Sequence, residues 1–283
     1  MRYRPLGRIV TIALWRANNK PPVELVVANL NVYAPKNKNA PPTETVPEVI
    51  WGLQKIFYLR RKTMKFENVS IKNLESAEKY VEKLMQSEKI FQKEYVEEHI
   101  FIGLQRSGQE EIEKQNTEFD GIEKYLYIRI NTEGGAFITA KVNQSYWEKA
   151  EVSVQEAWSL AKKNTNKESF VMGLAEYITK KYGKDMATML FPNQTPFYVV
   201  TNKSEYKGAS AILNKKMLSE FGRKYNINKV VVIPSSIHEM LILSADILEL
   251  ERMEELTKMV QDVNANEVLV REQLSDRAYI LDI

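Results

Sequence analysis

Phe197–Glu239 reads FYVVTNKSEYKGASAILNKKMLSEFGRKYNINKVVVIPSSIHE and decides the fold. Residues 197–201 form a short, β-branched apolar run between turn formers, which reads as a buried strand; 229–234, KVVVIP, reads as a second. Between them, 209–225 repeats apolar residues at three- and four-residue spacing, the period of a helix. Met240–Leu243 supplies the return strand of a tight hairpin. This β-α-β-β segment predicts an α+β protein. If its first two strands are parallel neighbours, the crossover is right-handed and their C-terminal ends share one sheet edge.

Working outward, 125–131 and 136–142 flank Thr132-Glu133-Gly134-Gly135, a strong hairpin signal because glycine supplies the positive φ of a tight reversal. Helices are predicted over 153–163, where Ser153 and Glu156 make a capping-box pattern, and over 167–182, ending at Gly183. A patterned helix over 249–263 and a terminal strand over 278–283 complete that half. Upstream, 8–15 and 23–33 read as a strand hairpin, 35–47 as a proline-rich loop, and 49–60 and 73–87 as helices; 91–105 is a less definite segment. The expectation is a mixed sheet covered by amphipathic helices, with a basic hairpin-plus-helix part at 1–65 and a main body at 66–283.

Composition narrows the function classes. The 283 residues include no cysteine, which excludes a disulfide scaffold, thiolate-bound zinc, an iron–sulfur cluster and a cysteine nucleophile, and suits a reducing cytoplasm. Ile9–Trp15 is the longest apolar run near the start and falls far short of the roughly 20 residues that span a bilayer, so no membrane association is expected. Charge is unevenly placed. Residues 1–65 carry 12 Lys and Arg against 3 Glu, a net +9, and the remainder nets −6. A basic part on an acidic body either contacts nucleic acid or an acidic protein, with Arg60, Arg61 and Lys62 as its densest run, or pairs internally with the body.

The densest polar cluster lies at the ends of the two buried strands. Asn202 and Lys203 leave the first, Ser235, Ser236, His238 and Glu239 leave the second, and Lys207, Gly208 and Ser210 open the intervening helix. Strand ends facing a helix N-terminus form a crevice, whose free N–H groups favour an anion, with Lys203 and Lys207 adding charge. The Ser-Ser-x-His-Glu run holds the residue types of nucleophilic catalysis, but alternation on a strand separates neighbouring side chains. The competing reading is structural: Asn202 and Ser235 capping turns, Gly208 supplying a backbone angle, His238 satisfied in the core. His99 and His238 are the only histidines, so no transition metal and no cofactor is expected.

TNKSEYKGASAIL, followed by VVIPSSIHEMLIL, resembles the C-terminal hallmark of an uncharacterised domain-of-unknown-function family of gut Clostridia, related Firmicutes and their mobile elements. FDGIEKYLYIRI and VSVQEAWSLAKKNT resemble its central part, so the likeness runs over about 120–283, and the first half departs from it. The resemblance implies a shared fold and a bacterial or phage context, and no reaction. Two functions follow. One is a non-catalytic binding protein, a regulator or inhibitor of a host nucleoprotein system; the other is an enzyme acting on an anionic small substrate around Ser235 and His238.

Overall fold

A computed structural model of the chain describes residues 11–14, 23–26 and 88–283, apart from 109, 132–136, 192–194 and 248–250. Strands β1 (Thr11–Leu14) and β2 (Val23–Val26) pair antiparallel as the expected hairpin. The loop expected at 35–47, the helices expected at 49–60 and 73–87, and Arg60, Arg61 and Lys62 lie outside the described residues.

The body is α+β and built on two sheets. The first contains β3 (Ile100–Arg106), β4 (Lys114–Asn116), β5 (Ile122–Asn131) and β6 (Phe137–Lys141). β3 lies along one side of β5, and β4 and β6 follow one another along the other. The segment 91–105 thus resolves into helix α1 (Lys93–His99) running directly into β3. The hairpin expected around the double glycine is present as β5 and β6. Alternation gives this sheet two unlike faces. Ile100, Ile102, Leu126, Ile128, Ile130 and Ala140 form one core with Ala157 and Ala161 of the covering helix α3 (Val154–Glu168), after the short α2 (Gln144–Trp147). Ser153 caps α3 by accepting from the Glu156 N–H at 3.1 Å, as the capping pattern predicts.

The second sheet has the order β11-β9-β10-β8-β7, comprising β7 (Ser169–Gly173), β8 (Tyr198–Asn202), β9 (Lys229–Ser236), β10 (Glu239–Ser244) and β11 (Tyr279–Asp282). Every pairing is antiparallel, so neither sheet is mixed as expected. The span 167–182 is not one helix. Residues 167 and 168 end α3, and Ser169–Gly173 form β7, an edge strand whose pairing to β8 overrides the local helical period; helices α4 (Leu174–Tyr182) and α5 (Lys184–Leu190) follow. Likewise 209–225 divides into a 3-10 turn, Gly208–Leu213, and helix α6 (Lys215–Tyr225), because Asn214 caps α6 by accepting from the Met217 N–H at 3.2 Å.

Both faces of this sheet are apolar. Val199, Val231, Ile233, Leu241 and Leu243 pack under α4, α5 and α7 (Glu251–Asn266). Val200, Val230, Val232, Met240 and Ile242 pack under the 208–213 turn and α6, and Leu104, Phe119 and Ile122 of the first sheet join that core. The two sheets therefore meet through a shared hydrophobic layer.

Candidate functional site

β10 lies between β8 and β9 and is antiparallel to both, with Met240 opposite Val200 on one side and Pro234 on the other. β8 and β9 consequently run parallel to each other, one strand apart rather than adjacent, and their C-terminal ends reach the same edge. The expected convergence occurs, with β10 starting in its midst.

A β-bulge explains how the serines meet. The register shifts between Glu239 and Met240: Glu239 opposes Ser236, yet Met240 opposes Pro234, leaving Ser235 as the extra residue. The kink cancels the alternation that would separate neighbours, and one carboxylate oxygen, Glu239 Oε1, accepts from Ser235 Oγ at 2.8 Å and Ser236 Oγ at 3.4 Å. Ser236 Oγ in turn accepts from the His238 N–H at 3.1 Å. Across β10, Thr201 Oγ1 donates to the His238 carbonyl at 2.8 Å, and Asn202 Nδ2 donates to the Tyr206 carbonyl at 3.0 Å. His238 is buried, and its Nδ1 accepts from the Lys207 backbone N–H at 3.2 Å. That bond fixes the tautomer: Nδ1 is unprotonated and the neutral ring carries its hydrogen on Nε2, 3.9 Å from Glu272.

The backbone is as closely fitted as the side chains. A Cβ on Gly208 would lie 2.2 Å from Thr201 Oγ1, 2.6 Å from the His238 carbonyl and 2.7 Å from the Asn202 nitrogen, so glycine serves close approach here, not an unusual angle. The Lys207 N–H is taken by His238 and the Ala209 N–H by the Ile237 carbonyl at 3.2 Å. The helix N-terminus expected at Gly208 is instead the start of a 3-10 turn, with these two N–H groups bonded inside the protein.

Lys207 departs furthest from expectation. Its side chain turns inward onto the outer face of the first sheet, where Nζ donates to the Tyr125 hydroxyl at 2.6 Å and lies 5.2 to 5.6 Å from the ring centres of Tyr125, Tyr127 and Tyr206. Desolvation pushes the Lys207 ammonium below its ordinary range, and pushes the Tyr125 hydroxyl up to about 12. Gly103, directly across from Tyr125, makes room for the ring: a Cβ there would come within 2.5 Å of it. Beside it Arg129 pairs with Glu168 at 2.9 Å and stacks on Phe101, its guanidinium carbon 3.9 Å from the ring centre.

The model of DUF5688, a family of unknown function, matches residues 42–282. The chain belongs to that family. No curated protein and no solved structure matches it. The DUF5688 match starts well before residue 120, where the sequence likeness begins, and takes in Arg60, Arg61 and Lys62 as well as every residue of the strand-end cluster.

Within this DUF5688 fold, Asn202, Lys207, Gly208, Ser210, Ser235, Ser236, His238 and Glu239 do come together. Only Lys203 among the nine is exposed; Glu239 is half-buried and the rest are buried. Ser210 faces inward and donates to the Lys207 carbonyl at 3.2 Å. Sequence reasoning missed Tyr125, Tyr127, Arg129, Tyr206, Glu168 and Glu272. The first three stand on one face of β5 at two-residue spacing, a signal available in YLYIR; the other three are brought in by tertiary contacts alone. Surface depressions beside Met253, Thr257 and Gln261, and beside Asn264 and Asp276, share no residue with the cluster. Among the described residues no group of three His, Asp or Glu side chains could hold a metal ion, and no helix is long and apolar enough to cross a membrane.

Proposed function

We propose that this DUF5688 protein is a non-catalytic binding protein of a bacterium, phage or mobile element that regulates or inhibits a host nucleoprotein system. The observation that supports it is the state of His238. Serine catalysis needs a base able to take the hydroxyl proton, yet His238 Nδ1 accepts from a backbone N–H, Nε2 faces Glu272, and both serines donate to Glu239. The cluster is better suited to holding a strand edge than to turning over an anionic substrate.

The contact surface then falls to the basic part, whose net +9 stands against the −6 of the remaining chain. Nucleic acid is the partner class this charge suits best. Such binding weakens steeply with salt, because each neutralised phosphate releases condensed counterion. A gel shift with single- and double-stranded probes across a salt series tests this, together with simultaneous charge reversal at Arg60, Arg61 and Lys62. The expected result is affinity that falls with salt and falls about tenfold or more in the triple variant, with an unchanged melt. Unaltered binding with a lowered melting temperature would instead mean that the basic residues pair with the acidic body.

A further inference from the structure

Helix α6 concentrates positive charge that the body as a whole lacks. Residues 215–229 hold five Lys and Arg against the single Glu220, a net +4, within a body at 66–283 that nets −6. The helix is amphipathic: Leu218 and Phe221 enter the core, while Lys215, Lys216, Ser219, Glu220, Arg223 and Lys224 are exposed. Lys216 and Arg223 stand on one line of that outer face, two turns and about 10 Å apart. Lys215 reaches Glu118 at 3.8 Å and Lys229 reaches Asp282 at 3.4 Å, whereas among the described residues Lys216, Arg223 and Lys224 pair with no carboxylate. Helix stability does not account for the pattern. Arg223 and Lys224 suit the negative end of the helix dipole, but Lys215 and Lys216 crowd its positive end, where the first turn has no acidic residue. The helix ends in Tyr225, 44% exposed, whose ring is backed by Phe221 at 5.0 Å and Tyr198 at 5.3 Å between ring centres, with the Lys224 ammonium 4.9 Å from its own centre. Asn226, with φ of 56°, closes the helix, and a Cβ on Gly222 would come 2.5 Å from the Ile227 carbonyl, so the chain folds tightly back beneath the ring.

We propose that the outer face of α6 is a second nucleic-acid contact, on which a single strand lies with its phosphates against Lys216, Arg223 and Lys224 and one base stacked on Tyr225. This contact rests on the reading that the protein binds nucleic acid, and adds where on the folded body it does so. The chemistry of the face selects the partner. A helix that lies on a membrane surface inserts apolar side chains, and here Leu218 and Phe221 are already spent on the core. An acidic protein would be gripped through a desolvated apolar centre inside a polar rim, and the centre of this face is charged. A row of unpaired cations that ends in an exposed, firmly backed ring matches a strand that offers phosphates and unstacked bases together.

Fluorescence anisotropy on the intact chain, with labelled single-stranded DNA and RNA and duplex probes over a salt series, tests the contact. Lys216→Gln, Arg223→Gln and Lys224→Gln together should lower the slope of log affinity against log salt by about 2 on a single strand, since each lost phosphate contact removes about 0.7. The melting temperature should stay within about 2 °C of native, because exposed charges contribute little. If it falls further, Arg223→Gln alone carries the test, with a slope change of about 0.7. Tyr225→Leu, which keeps apolar bulk and loses the ring, should weaken single-strand binding about tenfold and leave duplex binding unchanged, while Tyr225→Phe should bind as the native chain does. Charge reversal at Arg60, Arg61 and Lys62 separates this contact from the first. A native chain that binds no probe at any salt would end the nucleic-acid reading and this contact with it. Binding that falls in that N-terminal variant, yet keeps its full salt slope without the α6 cations or is the same in Tyr225→Leu as in Tyr225→Phe, would overturn the α6 contact alone.

Discussion

The two sheets bury comparable strands by opposite means. In the five-stranded sheet both faces are aliphatic, β9 sending Val231 and Ile233 one way and Val230 and Val232 the other. In the four-stranded sheet one face is aliphatic, and the other carries Phe101, Tyr125, Tyr127, Glu123, Arg129 and Lys141. A doubly apolar sheet is held mainly by the packing of uncharged side chains, which do not titrate. A sheet with buried cations and phenols depends on protonation. The difference puts purely aliphatic packing and buried titratable groups in different sheets, joined by the apolar layer of Leu104, Phe119 and Ile122.

The largest effect that separates them comes from truncation in the aliphatic sheet. Ile242 is fully buried in the core beneath α6. Ile242→Ala should cost about 2–5 kcal/mol, the transfer and cavity terms together, measured by urea or guanidinium unfolding. A loss well under 1 kcal/mol would mean that the five-stranded sheet is not the tightly packed half, and the comparison would fail.

That aliphatic half is also what the sequence made legible. KVVVI and the MLILS that answers it are short apolar runs bounded by turn residues, and such runs report burial on both faces whatever packs against them. β7 was hidden, because SFVMG between two amphipathic helices carries no turn signal and becomes a strand only by pairing with β8. The polar cluster was legible as a set of residues brought to one edge, but not in its chemistry. Nothing in the letters reveals that a bulge at Ser235 turns both hydroxyls to one carboxylate, or that Lys207 points inward. Residue types give the inventory, and tertiary contacts decide whether a lysine is a surface charge or a buried amine.

The sheet with buried phenols should reveal itself in alkali. The Tyr125 hydroxyl, near 10 when unfolded, is raised to about 12 by burial. The folded state keeps that proton where the unfolded state has lost it, so this contribution is intact below about pH 10 and is lost as pH rises toward about 12. The amount at stake is on the order of 3 kcal/mol. Tyr127 and Tyr146 are raised in the same direction by burial, so the native chain should weaken steeply, and Tyr125→Phe should remove one share of the slope. Unfolding measured across that range checks this, and a slope unchanged in Tyr125→Phe would show that the phenol titrates as if exposed.

The smallest expected effect tests the joint between the sheets. Arg106, at the end of β3, forms a bidentate pair with Asp276, just before β11, through two contacts of 2.9 Å. The Arg106 hydrogen bond holds the Asp276 carboxyl below its ordinary range, so the pair contributes above about pH 4 and that contribution is lost on acidification. Both side chains are nearly half exposed, at 46% and 49%, and solvent screens such a pair to well under about 1 kcal/mol. Arg106→Gln should therefore lower the melting temperature by about 2 °C or less, and less still in high salt. If the loss instead reaches the size expected of Ile242→Ala, the sheets are held together by this ion pair and not by Leu104, Phe119 and Ile122. The joint, not only the outer face, would then belong to the part of the molecule that responds to protons.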